Sequence, residues 1–471
     1  MELNIKRSLM VTPAEPTWTG NQSLSEWDQI GCTTHAHAIY FYGPTTTPFQ
    51  AITETLIDSL RRVLVHFYPL AGRLRSLGNG RFELACNGNG VVFVAAELNV
   101  DLVEFGKDFT PTPDFDRFLF PSINDAVPIH ELPLCFVQLT KFRCGGYSLG
   151  LATSHVITDG LSAANFMTEW ARLARGEPLR TAPFHDKTAF KAGEPSWAPP
   201  RFDHSNDFCC MPFLLKQPSP EELKKMKTTM ITLGLGTEQV EKLKRLANRD
   251  RPNKLKSSRP YTRYEALTAH IWRCASKARK HQDEQPTACL VTIDSRRRLQ
   301  PPLPLGYFGN GVFDVTASCY AGDLTSKPLS YGASKIRLAI ETVTNDYVLS
   351  AVDYLKSQRD LTKFQYSYKS STNGGANYGG NPNIGVVNWM NLPFNGTDFG
   401  WGKEIHFGPA YHQVDGDTWI LRSGKGDESL VVVVCLLVRH VQAFKKHFYD
   451  DIHYSREIQY HVSEADQDLI F

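Results

Sequence analysis

The stretch "SHVITDG", residues 154–160, sets a histidine and an aspartate four positions apart and follows them with a glycine. An imidazole is the side chain best suited to take a proton near neutral pH. A carboxylate beside it can orient the ring, as in a hydrolase triad, or can turn away and pin the bend through an arginine. The spacing leaves both roles open. A chain with fifteen histidines generates roughly one His-x-x-x-Asp by chance. A second one does occur, His447 to Asp451, at the end of a basic helix-like stretch that reads as a solvated face. The plain alternative for His155 is a packed side chain at the end of a strand.

The elements around His155 place it where chemistry is common. "LCFVQLTKFRCGGYSLGLATSHV" (134–156) reads as two strands around Gly145 and Gly146. "LSAANFMTEWARLARG" (161–176) reads as a helix with a glycine at its C-terminal end. His155 and Asp159 therefore fall on a strand-to-helix turn, where side chains project into clefts. Gly160 permits a tight backbone there. Upstream, "HAIYFY" (37–42) predicts a strand, "FQAITETLIDSLRRVLVHF" (49–67) an amphipathic helix, and "GRFELACNGNGVVFVAAE" (80–97) a hairpin closed by an Asn-Gly turn. From about 178 to 222 prolines punctuate an irregular crossover. Beyond it, strands ("TTMITLGL", "ACLVTIDS", "GVFDVTASCY", "IGVVNWMNLP", "SLVVVVCLLV") alternate with helices ("TEQVEKLKRLA", "RYEALTAHIWRCASKARK", "SKIRLAIETVTNDYVLSAVDYLK"). "SSTNGGANYGGNPN" (370–383) is too rich in glycine and asparagine to pack and reads as a flexible loop. Each half mixes strands and helices in similar proportion.

With 471 residues, two domains or one large layered unit are expected. A formal net charge of +2 offers no field for nucleic acid or an anionic membrane. No apolar run approaches the length of a membrane span, and "MELNIKRSLMV" lacks the apolar core of a signal peptide. The ten cysteines show no CxxC and no zinc spacing. Cys135 and Cys435 sit in apolar runs, as buried thiols in a reducing compartment would. The expected location is cytoplasmic. No GxSxG, Walker loop or HExxH is present, and no metal is expected.

Three further segments give the histidine a context, "HFYPLAGRL" (66–74), "GYFGN" (306–310) and "DFGWG" (398–402), alongside the HxxxDG at 155–160. In this order they resemble the signature of the plant BAHD acyltransferases, over nearly the whole chain. The likeness is closest to the hydroxycinnamoyl transferases, and among them to the spermidine branch, through "VTPAEPTWTGNQSLSEWDQIG", "TRYEALTAHIWRCASKAR", "PPLPLGYFGN" and "VDGDTWIL". The resemblance implies an α/β fold of two similar chloramphenicol-acetyltransferase-like domains, with mixed sheets flanked by helices and a channel between them. Residues 1–185 would carry HxxxD, 186–222 would cross over, and 223–471 would carry DFGWG.

The implied reaction moves a coumaroyl, caffeoyl or feruloyl group from coenzyme A to an acceptor. His155 would take the acceptor's proton as that atom attacks the thioester, and coenzyme A would leave as the thiolate. The thioester is a substrate, so no cofactor is implied. Asp159 would pair with Arg296 and hold the turn. Trp401 is a candidate oxyanion donor. Ser257, Ser258, Arg259 and Arg263 align with the segment that meets the nucleotide. His35, Ala38 and Tyr40 align with the acceptor pocket. Asn391 stands where the shikimate and quinate branch carries an arginine, and an amide does not neutralise an acceptor carboxylate. Asp415 and Asp417 would suit the ammonium groups of spermidine or a related polyamine. The chain is expected to be a monomeric N-acyltransferase. Its alternatives are an O-acyltransferase for shikimate, quinate or another alcohol, and an inactive relative that binds acyl-CoA.

Overall fold

The structure is a computed structural model. It describes all residues except 32, 107, 125, 191–199, 205–206, 208–210, 217, 252–258, 366–379, 395, 425 and 454–471. In chain order the strands of the first half are β1 (Leu3–Val11), β2 (Gly20–Ser23), β3 (His35–Tyr42), β4 (Arg73–Gly78), β5 (Arg81–Cys86), β6 (Val91–Leu98), β7 (Cys135–Phe142) and β8 (Tyr147–Ser154). Those of the second half are β9 (Thr228–Leu235), β10 (Pro286–Asp294), β11 (Val312–Tyr320), β12 (Ile384–Asn388), β13 (Glu404–Pro409), β14 (Asp417–Arg422) and β15 (Leu430–Leu437).

One mixed sheet runs β1-β6-β7-β8-β3-β13, a second β11-β10-β12-β14-β15-β9, and a small third sheet β2-β5-β4. The hairpin expected at 80–97 does not form. β5 pairs with β2 and β4, whereas β6 crosses to β1 and β7. The Asn-Gly pair bends the chain between two sheets instead of closing one. The segment expected as a single helix over 334–356 is broken into Leu329–Thr342 and Asn345–Ser357, because the Thr344 side chain caps the second helix. The glycine-rich tract read as a loop lies mostly outside the described residues.

The halves are not separate along the chain. β13, from residues 404–409, leaves the second sheet and pairs antiparallel with β3 at the edge of the first. A strand from beyond the expected boundary at 223 therefore lies in the first sheet. Each face of the second sheet serves a different core. Ile420, Val432 and Val434 pack into a cluster under that half's helices. Leu421, Val433 and Cys435 join Tyr40, Leu151 and Phe166 of the first half. That shared cluster fixes the two sheets against each other, with the end of β8 at the seam. Among the described residues no helix is long and apolar enough to cross a membrane.

Candidate active site

His155 follows directly on β8, whose eight residues are all buried, and is itself half-buried on the turn. Its backbone N–H donates to the Thr34 carbonyl at 3.3 Å, which ties the turn to the approach of β3. Asp159 caps the Gly160–Ala174 helix, its Oδ1 accepting the Ser162 N–H at 2.9 Å. Arg296, just past β10, holds the same carboxylate in a bidentate pair, Nη1 to Oδ2 at 2.8 Å and Nη2 to Oδ1 at 2.9 Å. The Gly311 N–H donates to Oδ2 at 2.8 Å. Burial pushes the Asp159 carboxyl up, but the Arg296 charge and these hydrogen bonds outweigh it and hold the group below its ordinary value. With four donors on two oxygens, Asp159 locks the turn and fastens it to the second half.

Gly160 allows a second close approach. A Cβ there would lie 3.1 Å from Leu392 Cδ1 and 3.7 Å from Trp389 Nε1, so the turn after β12 packs directly on the HxxxDG turn. Trp389 in turn stacks on Phe407 and stands 6.4 Å, ring to ring, from Trp419. Asn391, on the same turn, is exposed to solvent.

DFGWG lies elsewhere. Asp398 Oδ1 accepts the Gly400 N–H at 2.7 Å and the Gly402 N–H at 3.1 Å, and its carbonyl accepts from Arg175. Gly400 and Gly402 have φ of +112° and +117°, a region that disfavours side chains. The motif is the tight turn that launches β13 toward β3. Trp401 packs on Phe399 and, at 6.3 Å, on Tyr42. Tyr42 pairs with Tyr147 at the opposite end of β8 from Ser154. Seven residues of strand, at about 3.3 Å each, put Trp401 some 20 Å from His155. An oxyanion role for Trp401 is therefore corrected: the indole is part of the core that seats β13.

The expected acceptor residues on β3 divide between two faces. Ala38 and Tyr40 point into the shared cluster, and Tyr40 is fully buried against Phe394 and Phe407. His35 is on the other face, opposite Ser154, with Nε2 bonded to the Pro133 carbonyl at 2.8 Å. Strand alternation forbids the three from lining one wall. His37 shares the face of His35. Burial, then His35, press its imidazole down to about 4. His412 stands within electrostatic reach of His37 and of Asp116. Its Nδ1 is 3.0 Å from Asp417 Oδ2. Burial pulls His412 down, but Asp417 more than compensates and raises it. Burial lifts Asp116 to about 6. Trp419 lies edge-on to His412.

Asp415 does not belong to this group. It is buried in an ion pair with Arg279 at 2.8 Å and also accepts the backbone N–H groups of Asn381 and Leu437. Its place in the acceptor set is corrected: the carboxylate holds the second sheet together. Arg263, partly exposed, pairs with Glu241 at 2.6 Å and with Glu428. Arg259 is exposed beside it, its carbonyl bonded to Arg337. Ser257 and Ser258 lie outside the described residues.

A family model described as the transferase family matches residues 1–451. The chain belongs to this family, the BAHD acyltransferases. It is 44% identical over 451 residues, 95% of this chain and 99% of the relative, to hydroxycinnamoyl-CoA:piscidic acid hydroxycinnamoyltransferase of Actaea racemosa. It is 36% identical, over 96% of this chain and 100% of the relative, to shikimate O-hydroxycinnamoyltransferase of Nicotiana tabacum. Against a 5-hydroxyanthranilate N-hydroxycinnamoyltransferase of Avena sativa identity is 34%, over 95% of this chain and 99% of the relative. The crystal structure of vinorine synthase superposes with a TM-score of 0.70 at 21% identity, covering 95% of this chain and 98% of that one. The acyltransferase thus has the α/β fold of mixed sheets and flanking helices, with two chloramphenicol-acetyltransferase-like domains.

In this acyltransferase the second His-x-x-x-Asp leads away from the site. Asp451 pairs with Lys277 at 2.5 Å. His270, Cys274 and Asp451 place one ligand atom each within 4.8 Å of one another. The Cys274 sulfur is 3.8 Å and 3.7 Å from the two ring nitrogens of His270. His270 Nε2, however, is already engaged, donating to the Phe448 carbonyl at 2.8 Å, and the Asp451 carboxylate is taken by Lys277. Sequence reasoning missed Asp116, Trp389, His412 and Trp419. Trp389 falls in the expected strand "IGVVNWMNLP" and Trp419 in "VDGDTWIL", and neither segment marks its tryptophan as part of a site. Asp116 carried no motif, and only the fold brings it to His412.

Proposed function

We propose that the acyltransferase moves a hydroxycinnamoyl group from coenzyme A to an amine of spermidine or a related polyamine, with His155 as general base. Relatives named for hydroxycinnamoyl transfer, at 34–44% identity over nearly the full chain, support the donor. The single observation that carries the base is the fixed position of His155 on a turn locked by Asp159 and Arg296 at the seam of the two halves. The acceptor nitrogen attacks as the neutral amine, its ammonium proton already lost to solvent, and gives a second proton to the imidazole as it adds to the thioester carbonyl. The tetrahedral oxyanion then collapses, and the carbon–sulfur bond breaks. The imidazolium returns its proton to the leaving thiolate or to solvent.

The amine reading is supported by carboxylates. Asp417 and Asp116 flank His412, on the face of β3 that begins at His35 beside the catalytic turn. Alkyl amines have pKa values near 10 and arrive as ammonium groups, which suits such a pair. Asn391 provides no cation for an acceptor carboxylate. The second reading, O-acylation of a hydroxy acid, is favoured by the 44% identity to a transferase named for piscidic acid. Mixing coumaroyl-CoA with spermidine, shikimate and quinate separately decides between them. Coenzyme A release with spermidine alone is expected. Release with the hydroxy acids alone would replace amide formation by ester formation.

A further inference from the structure

The catalytic turn is gripped from two sides, and only one grip is the Asp159–Arg296 pair. The other is built on Asp28, a fully buried carboxylate on the short helix Glu26–Gln29. Ser25 caps that helix and bonds Asp28 Oδ2 through its hydroxyl at 2.7 Å and its N–H at 3.1 Å. Lys187, from the crossover between the halves, brings its buried ammonium to 3.2 Å from the same oxygen. Lys187 also donates to the Phe308 carbonyl at 2.6 Å.

Between the two ion pairs runs Gly309-Asn310-Gly311 of the second half. The Gly311 N–H donates to Asp159 at 2.8 Å, and the Asn310 N–H donates to Asp28 Oδ1 at 2.8 Å. The Asn310 side chain then reaches the turn. Its Nδ2 donates to the carbonyl of His155 at 2.8 Å and to that of Val156 at 3.1 Å. Gly309 makes room for this: a Cβ there would lie 2.0 Å from Lys187 Nζ. The carbonyl of the catalytic histidine is therefore held by the Asn310 amide, which is held in turn by a lysine–aspartate pair spanning the crossover and the N-terminal segment.

We infer that Asn310, Asp28 and Lys187 are positioning residues for His155, and that the crossover acts on the reaction through Lys187. None of the three touches the reacting atoms. They act by fixing the backbone from which the imidazole projects. A displacement of the base by about 1 Å costs on the order of a hundredfold in rate. This inference rests on His155 acting as the base.

The test uses Asn310→Ala in the full chain, with the acceptor that the wild-type enzyme turns over. The substitution removes the Nδ2 contacts to His155, to Val156 and, at 3.2 Å, to Asp28 Oδ1, and leaves the backbone N–H on Asp28. We expect kcat to fall about tenfold to a hundredfold, the KM for acyl-CoA to stay within about twofold, and the pH–rate profile to move in its acidic limb. Val352→Ala, in the core of the helix Asn345–Ser357, serves as a control that lowers stability far from the turn. Lys187→Met is expected to follow Asn310→Ala, and Lys187→Arg to recover part of the rate. Wild-type kcat in Asn310→Ala would overturn the inference. So would equal kcat losses in Asn310→Ala and Val352→Ala when matched for folded fraction. His155→Ala tested alongside separates the two levels. An active His155→Ala removes the base itself, whereas an inactive one beside a fully active Asn310→Ala removes only the positioning role.

Discussion

At the scale of the residue, what singles out His155 is the rigidity of its support. Asp159 is buried and charged because Arg296 is, and each would be costly without the other. Asp159→Asn leaves the guanidinium unpaired in the core and is expected to lower stability by about 3–5 kcal/mol. The pH dependence follows in sign. The native carboxyl lies below its ordinary value of 3.8. The pair therefore contributes in full above the unfolded pKa and loses its contribution as pH falls through the native one. Acid unfolding monitored by circular dichroism should show the wild type losing this advantage below about pH 4, where the Asp159→Asn curve approaches it. A constant gap down to pH 2 would deny the pair this role. His155 and Asp159 were legible in the sequence because a motif carries them, and Arg296 only because the family resemblance implies a partner for Asp159 there. Asn310 and Asp28 were also printed in quoted motifs, but a motif does not say which neighbour a side chain meets. Trp401 shows the opposite error, since a tryptophan in a signature turn attracts a catalytic role and here seats a strand.

At the scale of the element, β3 explains how the acceptor side is divided. Period two sends Ala38 and Tyr40 into the shared core and His35 and His37 to the other face. The acceptor residues were aligned as a set, and only strand parity separates them. His37 continues from His35 toward Asp116, His412 and Asp417, three groups brought there by a helix, a loop and the start of β14. Asp116 is lifted to about 6, so it becomes anionic as pH rises through that value. The KM for spermidine should therefore fall between pH 5.5 and 7. Asp116→Asn with Asp417→Asn should raise that KM about tenfold, by loss of two charge contacts, with the acyl-CoA KM unchanged. Unaltered spermidine kinetics in the double variant would take these carboxylates out of the acceptor site. Asp415, chosen from the same Asp-Gly-Asp turn, was illegible as a structural ion pair because Arg279 lies 136 residues away in sequence.

At the scale of the whole molecule, two mixed sheets of six strands share one apolar cluster, and the chain crosses between them more than once. Alternating strands and helices in both halves made the α/β class readable in the sequence. The return of β13 to the first sheet was not readable, since six residues of ordinary strand pattern do not name their partner. That return, the Asp159–Arg296 pair and the 309–311 segment together hold the end of β8, and with it His155, at the seam of the two halves. The most direct measurement is coenzyme A release from coumaroyl-CoA by His155→Ala, beside the wild type and with folding checked by circular dichroism. Loss of a base predicts a fall in kcat of about a thousandfold with the fold intact. A folded variant that turns over near the wild-type rate would contradict proton abstraction by His155.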